Sequence, residues 1–368
     1  MSPAAKNLLR LLSASGLILL TAAALNFAVD PLQLFRPARF YTAAYSPDGR
    51  MQNAGLIRSQ DFDTVFMGTS LAIHFRQSDI DRLLGVKSLK LAMTGSNSRE
   101  QSFVLAAALD RRPKRVIWQI DDWIFRDAPD IDHDVYLPAD LYRRNARGVA
   151  GYLFSGAMAR ESFWMLARAI GPLQKTVALP ESPIKFTILD VDDINALQPG
   201  FDVASAYNAG KAKAAFASIT DPARSAFLAE GYDYAAMVRN FERDAVGLIA
   251  GHPAVRFDLY LPAYSILQWV AMRDAAPATL QVVYDFSCYI ARRLTAFPNA
   301  HLHDFRAVRE ITHDLNNYGD VIHHSPTVDL KVLSWLASGD YIVRPEAPAA
   351  SLERLKAQVA AYRLEPSR

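Results

Sequence analysis

The sequence predicts an α/β protein: a doubly wound, mainly parallel five-stranded sheet, with a large helical insertion between strands 3 and 4 and an N-terminal transmembrane helix. Three observations carry this expectation. Five short apolar runs alternate with helical patterns, as in parallel sheets covered on both faces. The stretch from Phe125 to Val255, between the third and fourth runs, is far longer than a crossover helix requires. Leu11–Val29 is nineteen residues without a charge, and at 1.5 Å per residue it can cross a hydrocarbon core about 30 Å thick.

Lys6 and Arg10 precede that apolar stretch, which favours a cytoplasmic N-terminus, although Arg36, Arg39 and Arg50 beyond it weaken the asymmetry. Ala22-Ala-Ala24 offers small residues for a cleavable signal peptide. The apolar character continues past them to Val29, which favours an uncleaved anchor. Either way the rest of the chain is expected outside the cytoplasmic membrane. Asp30–Arg50 is a connector bearing Pro and Tyr.

The strands are expected at Thr64–Met67, Ser88–Ala92, Arg115–Ile120, Arg256–Leu261 and His301–Phe305, each a short apolar run. Ser78 is the expected N-cap of a helix over Asp79–Leu84. A second helix runs from Ser98 to Asp110. A third spans Tyr234–Ile249, with Met237, Phe241, Ala245, Val246 and Ile249 at helical spacing. A fourth covers Ala278–Phe297 and holds Cys288, read as a small buried apolar residue. Ser351–Leu364 ends the chain as an amphipathic helix. Within the insertion, Tyr142–Phe154 and Phe163–Ile170 read as helical, and Pro180–Pro199 as a polar middle. The division is therefore 1–30 anchor, 31–60 connector, 61–126 first part of the sheet domain, 127–253 insertion or lid, 254–345 second part, and 346–368 C-terminal helix.

Composition excludes several classes. The chain has 368 residues, 51% of them hydrophobic, enough for a large core. Forty basic against 38 acidic residues leave a net charge of +2, so no electrostatic footprint points to nucleic acid. A single cysteine excludes an internal disulfide and a Cys-rich metal site. His301, His303 and His313 lack convincing metal-ligand spacing with nearby carboxylates. No metal and no cofactor is expected.

The chemistry is expected at two places far apart in the chain. Asp63-Thr-Val-Phe-Met-Gly-Thr-Ser70 is a strand running into a tight turn, and Asn317-Tyr-Gly-Asp320-Val-Ile-His323-His-Ser puts an Asp three residues before a His on a polar loop. A serine hydroxyl needs a base within hydrogen-bond reach, itself oriented by a third group. Ser70 would attack, His323 would take its proton and Asp320 would hold the imidazole. His74, four residues from Ser70, reads as an exposed histidine that could also approach the site. His324, next to His323, would point elsewhere. Near the end of the third strand Trp123 could stack on a sugar ring. Trp118, inside that strand, reads at least as well as core.

A serine just after the first strand, with Asp-x-x-His near the last, resembles the SGNH/GDSL hydrolase superfamily. More narrowly, the chain resembles the membrane-anchored SGNH-like proteins of bacterial cell-surface glycan O-acylation, of the alginate O-acetylation and teichoic-acid D-alanylation type. The likeness covers short blocks within Phe62–Arg126 and Leu259–Ile342 and leaves the insertion unmatched. It assigns the triad roles to Ser70, His323 and Asp320. It implies an oxyanion hole from the backbone N–H groups of Ser70 and Gly95, where donors must face the developing charge. Gly95 also reads as a turn glycine needing positive φ. The third donor of hydrolytic relatives is an Asn after the third strand. Here that place holds Gln119-Ile-Asp121-Asp122-Trp123, and an ionised Asp cannot donate. Asn97 is the substitute to consider. Thr69 stands where the Gly-Asp-Ser pattern has its Asp.

Three functions follow as expectations. The first is an anchored O-acyltransferase, most simply O-acetyl, modifying an exported polysaccharide beside a membrane-bound O-acyltransferase partner that supplies acyl groups. The second is an extracytoplasmic serine carboxylesterase or deacetylase. The third is a non-catalytic assembly component. The anchor favours the first, because tethering beside a membrane partner raises effective concentration.

Overall fold

Apolar side chains on both faces of a strand can be buried only if helices cover both faces, and the five runs meet that condition in a five-stranded, all-parallel sheet. The computed structural model describes residues 2–46, 49–126, 137–143, 145–169, 191–192 and 204–364. Strands β1 (Thr64–Gly68), β2 (Ser88–Ala92), β3 (Arg115–Gln119), β4 (Arg256–Leu261) and β5 (Ala300–Asp304) lie in the order β2-β1-β3-β4-β5. Gly68 pairs with Ala92, Met67 with Trp118, Gln119 with Tyr260 and Leu261 with Asp304. β3 stops one residue short of the predicted run, and β5 is shifted one residue earlier.

This order has a topological switch point between β1 and β3, the place where open α/β sheets bind ligands beyond the carboxyl ends of their strands. Phe66, Ile117 and Tyr260 point into one core, shared with buried side chains of the helices Ile266–Ala275, Pro326–Ser338 and Ala350–Ala361. Neighbouring strand residues point the opposite way. There Trp118 donates from its indole to Gln101 Oε1 at 2.6 Å, on the helix Ser98–Leu109. Trp118 is therefore core.

The chain forms two compact units: Met1–Gln60 with Asp132–Val191, and Asp61–Ile131 with Asp192–Arg368. The second unit holds the sheet. Between its first strands lie the short helix Ser70–His74 and the helix Gln77–Leu84. The latter starts earlier than expected. Arg76 precedes it and Ser78 lies inside it, with its N–H bound by Asp192 Oδ1 at 3.1 Å, so Ser78 is not the cap. Asn97 caps Ser98–Leu109 in a capping box: it accepts from the Glu100 N–H, and Glu100 accepts from the Asn97 N–H. Tyr234–Phe241 is capped by Asp233 and continues through a π-helical turn, Glu242–Val246, to Gly251. The predicted single helix is thus interrupted. Cys288, in Pro277–Leu294, is half-buried rather than buried.

The first unit holds the apolar helix Pro3–Val29, long and apolar enough to cross a membrane. It also holds the helices Gly49–Ser59, Ala139–Tyr142, Ala146–Leu153 and Gly156–Ala169. The segment 31–60 is more than a connector. Gln52 bridges it by donating to the Ala44 carbonyl at 2.7 Å and accepting the Ser46 N–H at 2.9 Å. Gly55 approaches so closely that a Cβ would fall 1.8 Å from the Leu32 oxygen. The insertion between β3 and β4 is likewise not one body. Residues 132–191 group with the N-terminal segment and those from 192 onward with the sheet. The predicted polar middle, Pro180–Pro199, lies outside the described residues apart from Val191 and Asp192.

Candidate functional site

The site assembles at the carboxyl ends of β1 and β3. Thr69 precedes the helix Ser70–His74, so Ser70 is its first residue and half-buried. First-turn N–H groups have no intrahelical acceptor, which leaves the Ser70 N–H available to an oxyanion. Gly68 cannot be larger: a Cβ there would lie 2.7 Å from both Ala72 Cβ and Gln119 Oε1.

The loop after β5 is held by its own backbone. The Gly319 N–H donates to the His323 carbonyl at 3.0 Å and the Ser325 N–H to the Asn317 carbonyl at 2.8 Å. The Tyr318 hydroxyl donates to the Ala263 carbonyl at 2.6 Å. Asp320 Oδ1 accepts the N–H groups of Ile322 and His323, both at 2.7 Å, and Oδ2 meets His323 Nδ1 at 2.6 Å. His323 Nε2 lies 3.0 Å from Ser70 Oγ. An ionised carboxylate only accepts, so Nδ1 carries the proton toward Asp320 and Nε2 presents its lone pair to the Ser70 hydroxyl. Burial pushes the Asp320 carboxyl up. The His323 ring, by hydrogen bond and charge, and the two backbone N–H groups outweigh it and hold the pKa below the ordinary value.

The other histidines separate cleanly. His324 is buried, with Nδ1 3.0 Å from Asp329 Oδ1 and its ring edge-on to Phe75. Its partners are thus Asp329 and Phe75. His74 corrects its reading: it is buried, 2% exposed, with its ring centroid 5.5 Å from that of His323. Its place in Ser70–His74, one turn from Ser70, was the available signal, because i and i+4 share a helix face.

Gly95 adopts φ +61° beyond β2, the left-handed conformation glycine tolerates. Asn97 Oδ1 is engaged as the helix cap. The aspartates after β3 take other roles. Asp121 is buried, with Oδ2 accepting from Thr69 Oγ1 at 3.0 Å and Gln119 Nε2 at 2.8 Å, and Oδ1 from the Tyr264 hydroxyl. Burial raises its pKa despite the hydrogen bonds from Tyr264, Gln119 and Thr69. Both oxygens are thus spent bracing the turn that presents Ser70. Thr69, in the place of the pattern's Asp, is part of that brace.

Asp122 and Asp320 line a cavity of about 340 Å³ whose walls include Trp123, Tyr232, Tyr264, Gln268 and Ile322. Most of that lining is apolar or aromatic, as in ligand sites generally. Burial, then repulsion from Asp121, pushes the Asp122 carboxyl up to about 6, against the pull of Arg306. Trp123 thus sits in a cavity wall, with the Arg126 guanidinium 6.0 Å from its ring centroid. Tyr232, Tyr264 and Gln268 were missed. Tyr264 lies just past the end of β4 and was findable by the strand-end rule. Tyr232 comes from the insertion, where no local pattern marks it. Among the described residues no cluster of His, Cys, Asp and Glu is arranged to hold a metal ion. No family model matches the chain, and neither does any curated protein.

Proposed function

We propose that this chain is an SGNH-like serine O-acyltransferase, anchored by its N-terminal helix, that modifies a cell-surface or exported polysaccharide outside the cytoplasmic membrane. The observation that carries the reading is the relay Ser70 Oγ–His323 Nε2–Asp320, with contacts of 3.0 and 2.6 Å. It lies at the switch point of a 2-1-3-4-5 sheet. Ser70 Oγ attacks the donor's acyl carbonyl while its proton passes to His323 Nε2. The Ser70 and Gly95 N–H groups face the oxyanion. Collapse breaks the bond to the leaving group, which takes the proton from His323 and leaves an acyl-Ser70 ester. A glycan hydroxyl then gives its proton to His323, attacks the ester and departs acylated, while the proton returns to Ser70. Asp320 stays ionised and stabilises the imidazolium.

The cavity walled by Trp123 and Tyr264 suits the acceptor, since the apolar face of a sugar ring packs on aromatic rings while Gln268 and Asp122 address its hydroxyls. A membrane-bound O-acyltransferase would supply the acyl group.

The test uses the full chain in detergent, p-nitrophenyl acetate as donor and oligosaccharides as acceptors. Ser70→Ala should lower donor turnover on the order of 10⁴-fold or more while leaving the fold intact. Ser70-dependent release without transfer to any sugar would make the protein an esterase. Turnover equal in wild type and Ser70→Ala would mean that the fold serves binding or assembly.

A further inference from the structure

Between Leu8 and Leu20 the helix Pro3–Val29 turns large apolar side chains outward. Leu8, Leu11, Leu12, Leu17, Ile18 and Leu20 are each 57–69% exposed, and none of its most apolar stretch is buried. Its C-terminal end is different. Asn26 is fully buried and donates from Nδ2 to the carbonyls of Leu153 and Ser155 at 2.9 and 3.0 Å, while accepting from Ser162 Oγ at 2.9 Å. Asp30 holds a left-handed φ of 56°, which a non-glycine residue keeps only when its surroundings over-determine it. Its carboxylate accepts the N–H groups of Leu34, Phe35 and Arg36 and the Tyr152 hydroxyl. Through these bonds the helix Gly156–Ala169 is fixed against the end of the apolar helix.

Gly156–Ala169 turns Met158, Ser162 and Met165 inward at helical spacing, and leaves Phe163 56% exposed on its other face. Phe163 meets Trp164 edge-on at 5.3 Å, and Phe154, just before the helix, is 47% exposed. On the chain leaving the apolar helix, Phe27 and Phe35 are exposed with ring centroids 5.1 Å apart, and Arg36 lies over Phe27 at 4.8 Å. Water disfavours so many exposed phenyl rings in one unit. Exposed phenyl rings with a tryptophan and an arginine beside them, at one end of an uncovered apolar helix, suit the apolar face of a segment lying in a membrane interface.

We propose that a phospholipid bilayer is the partner of this surface. The helix Pro3–Val29 crosses it, and the segment Phe154–Trp164 lies in its interface beside the crossing, with Phe154 and Phe163 among the acyl chains. The inference rests on reading Pro3–Val29 as a membrane span. An interfacial apolar face sinks about 5–10 Å into the headgroup–acyl boundary. The segment then acts as a second, shallow foot.

Full-length protein lacking Cys288 (Cys288→Ser), with one new cysteine at Ile18, Phe154 or Phe163, is labelled with a small fluorophore. It is reconstituted alone into phosphatidylcholine–phosphatidylglycerol vesicles. Lipids brominated deep in the chain should quench the Ile18 label. Lipids brominated near the headgroup should quench the Phe154 and Phe163 labels most, and those labels should resist aqueous iodide. Lipid quenching at Ile18 with iodide quenching at Phe154 and Phe163 would overturn the proposal and spare the anchor. No lipid quenching at Ile18 would overturn the anchor itself, and the proposal with it. Labels at Phe154 and Phe163 shielded from both lipid and iodide would show that protein, not lipid, covers this face.

Discussion

A carboxylate accepts hydrogen bonds and never donates them, so the two aspartates after β3 decide what the site can stabilise. Asp121 is turned into the brace of Thr69, Gln119 and Tyr264 and is no donor to an oxyanion. Asp122 faces the cavity with a pKa raised from 3.8 to about 6 by burial and by Asp121. The folded state therefore holds a proton that the unfolded chain releases near pH 4. The neutral form is fully tolerated at low pH, and stability is lost as pH rises through the folded pKa. Asp122→Asn removes that penalty. The difference in unfolding free energy between variant and wild type should shift by about 2.5 kcal/mol in the variant's favour between pH 4 and pH 7, at about 1.4 kcal/mol per pKa unit and with the unfolded carboxyl already partly ionised at pH 4. Denaturant titrations at the two pH values check it. A pH-independent difference would show that Asp122 ionises normally.

At the scale of elements, the carboxyl end of β5 is clamped by a buried ion pair. Arg306 donates to both oxygens of Asp304 at 2.8 Å and to Ser287 Oγ at 2.8 Å, and Ser351 Oγ donates to Asp304 at 2.7 Å. β5, the helix Pro277–Leu294 and the helix Ala350–Ala361 meet there. Both charged side chains are almost fully buried. Arg306→Leu strands the Asp304 charge and should cost about 3–5 kcal/mol, read as a fall in the denaturation midpoint. Adding Asp304→Leu should recover much of the loss. If the double variant is no more stable than the single one, the clamp is not electrostatic. The strands that frame this region were legible because a parallel strand buried on both faces must be an unbroken apolar run. Ser70 was legible because it follows the end of β1, and Asp320 and His323 because their spacing on a polar loop lets one turn of chain bring the carboxylate onto the ring. The π-helical turn Glu242–Val246 had no such mark, since its apolar residues keep ordinary helical spacing. Tyr232 reaches the cavity through tertiary packing that a local pattern does not encode.

At the scale of the whole molecule, each unit has its own logic. One carries an uncovered apolar helix tied at Asn26 and Asp30 to a neighbouring helical segment. The other carries a parallel sheet whose switch point presents Ser70 to His323. That residues 132–191 join the N-terminal segment was hidden from sequence, because an insertion's partner is set by contacts between residues more than a hundred positions apart, such as Asn26 and Leu153. If the relay makes Ser70 a nucleophile, a fluorophosphonate should mark it in the full-length protein, and peptide mass spectrometry locates the adduct. A covalent phosphonyl group on Ser70, absent from His323→Ala protein of equal thermal stability, is the predicted result. A folded wild type that acquires no adduct at Ser70, or one modified equally without His323, would contradict it.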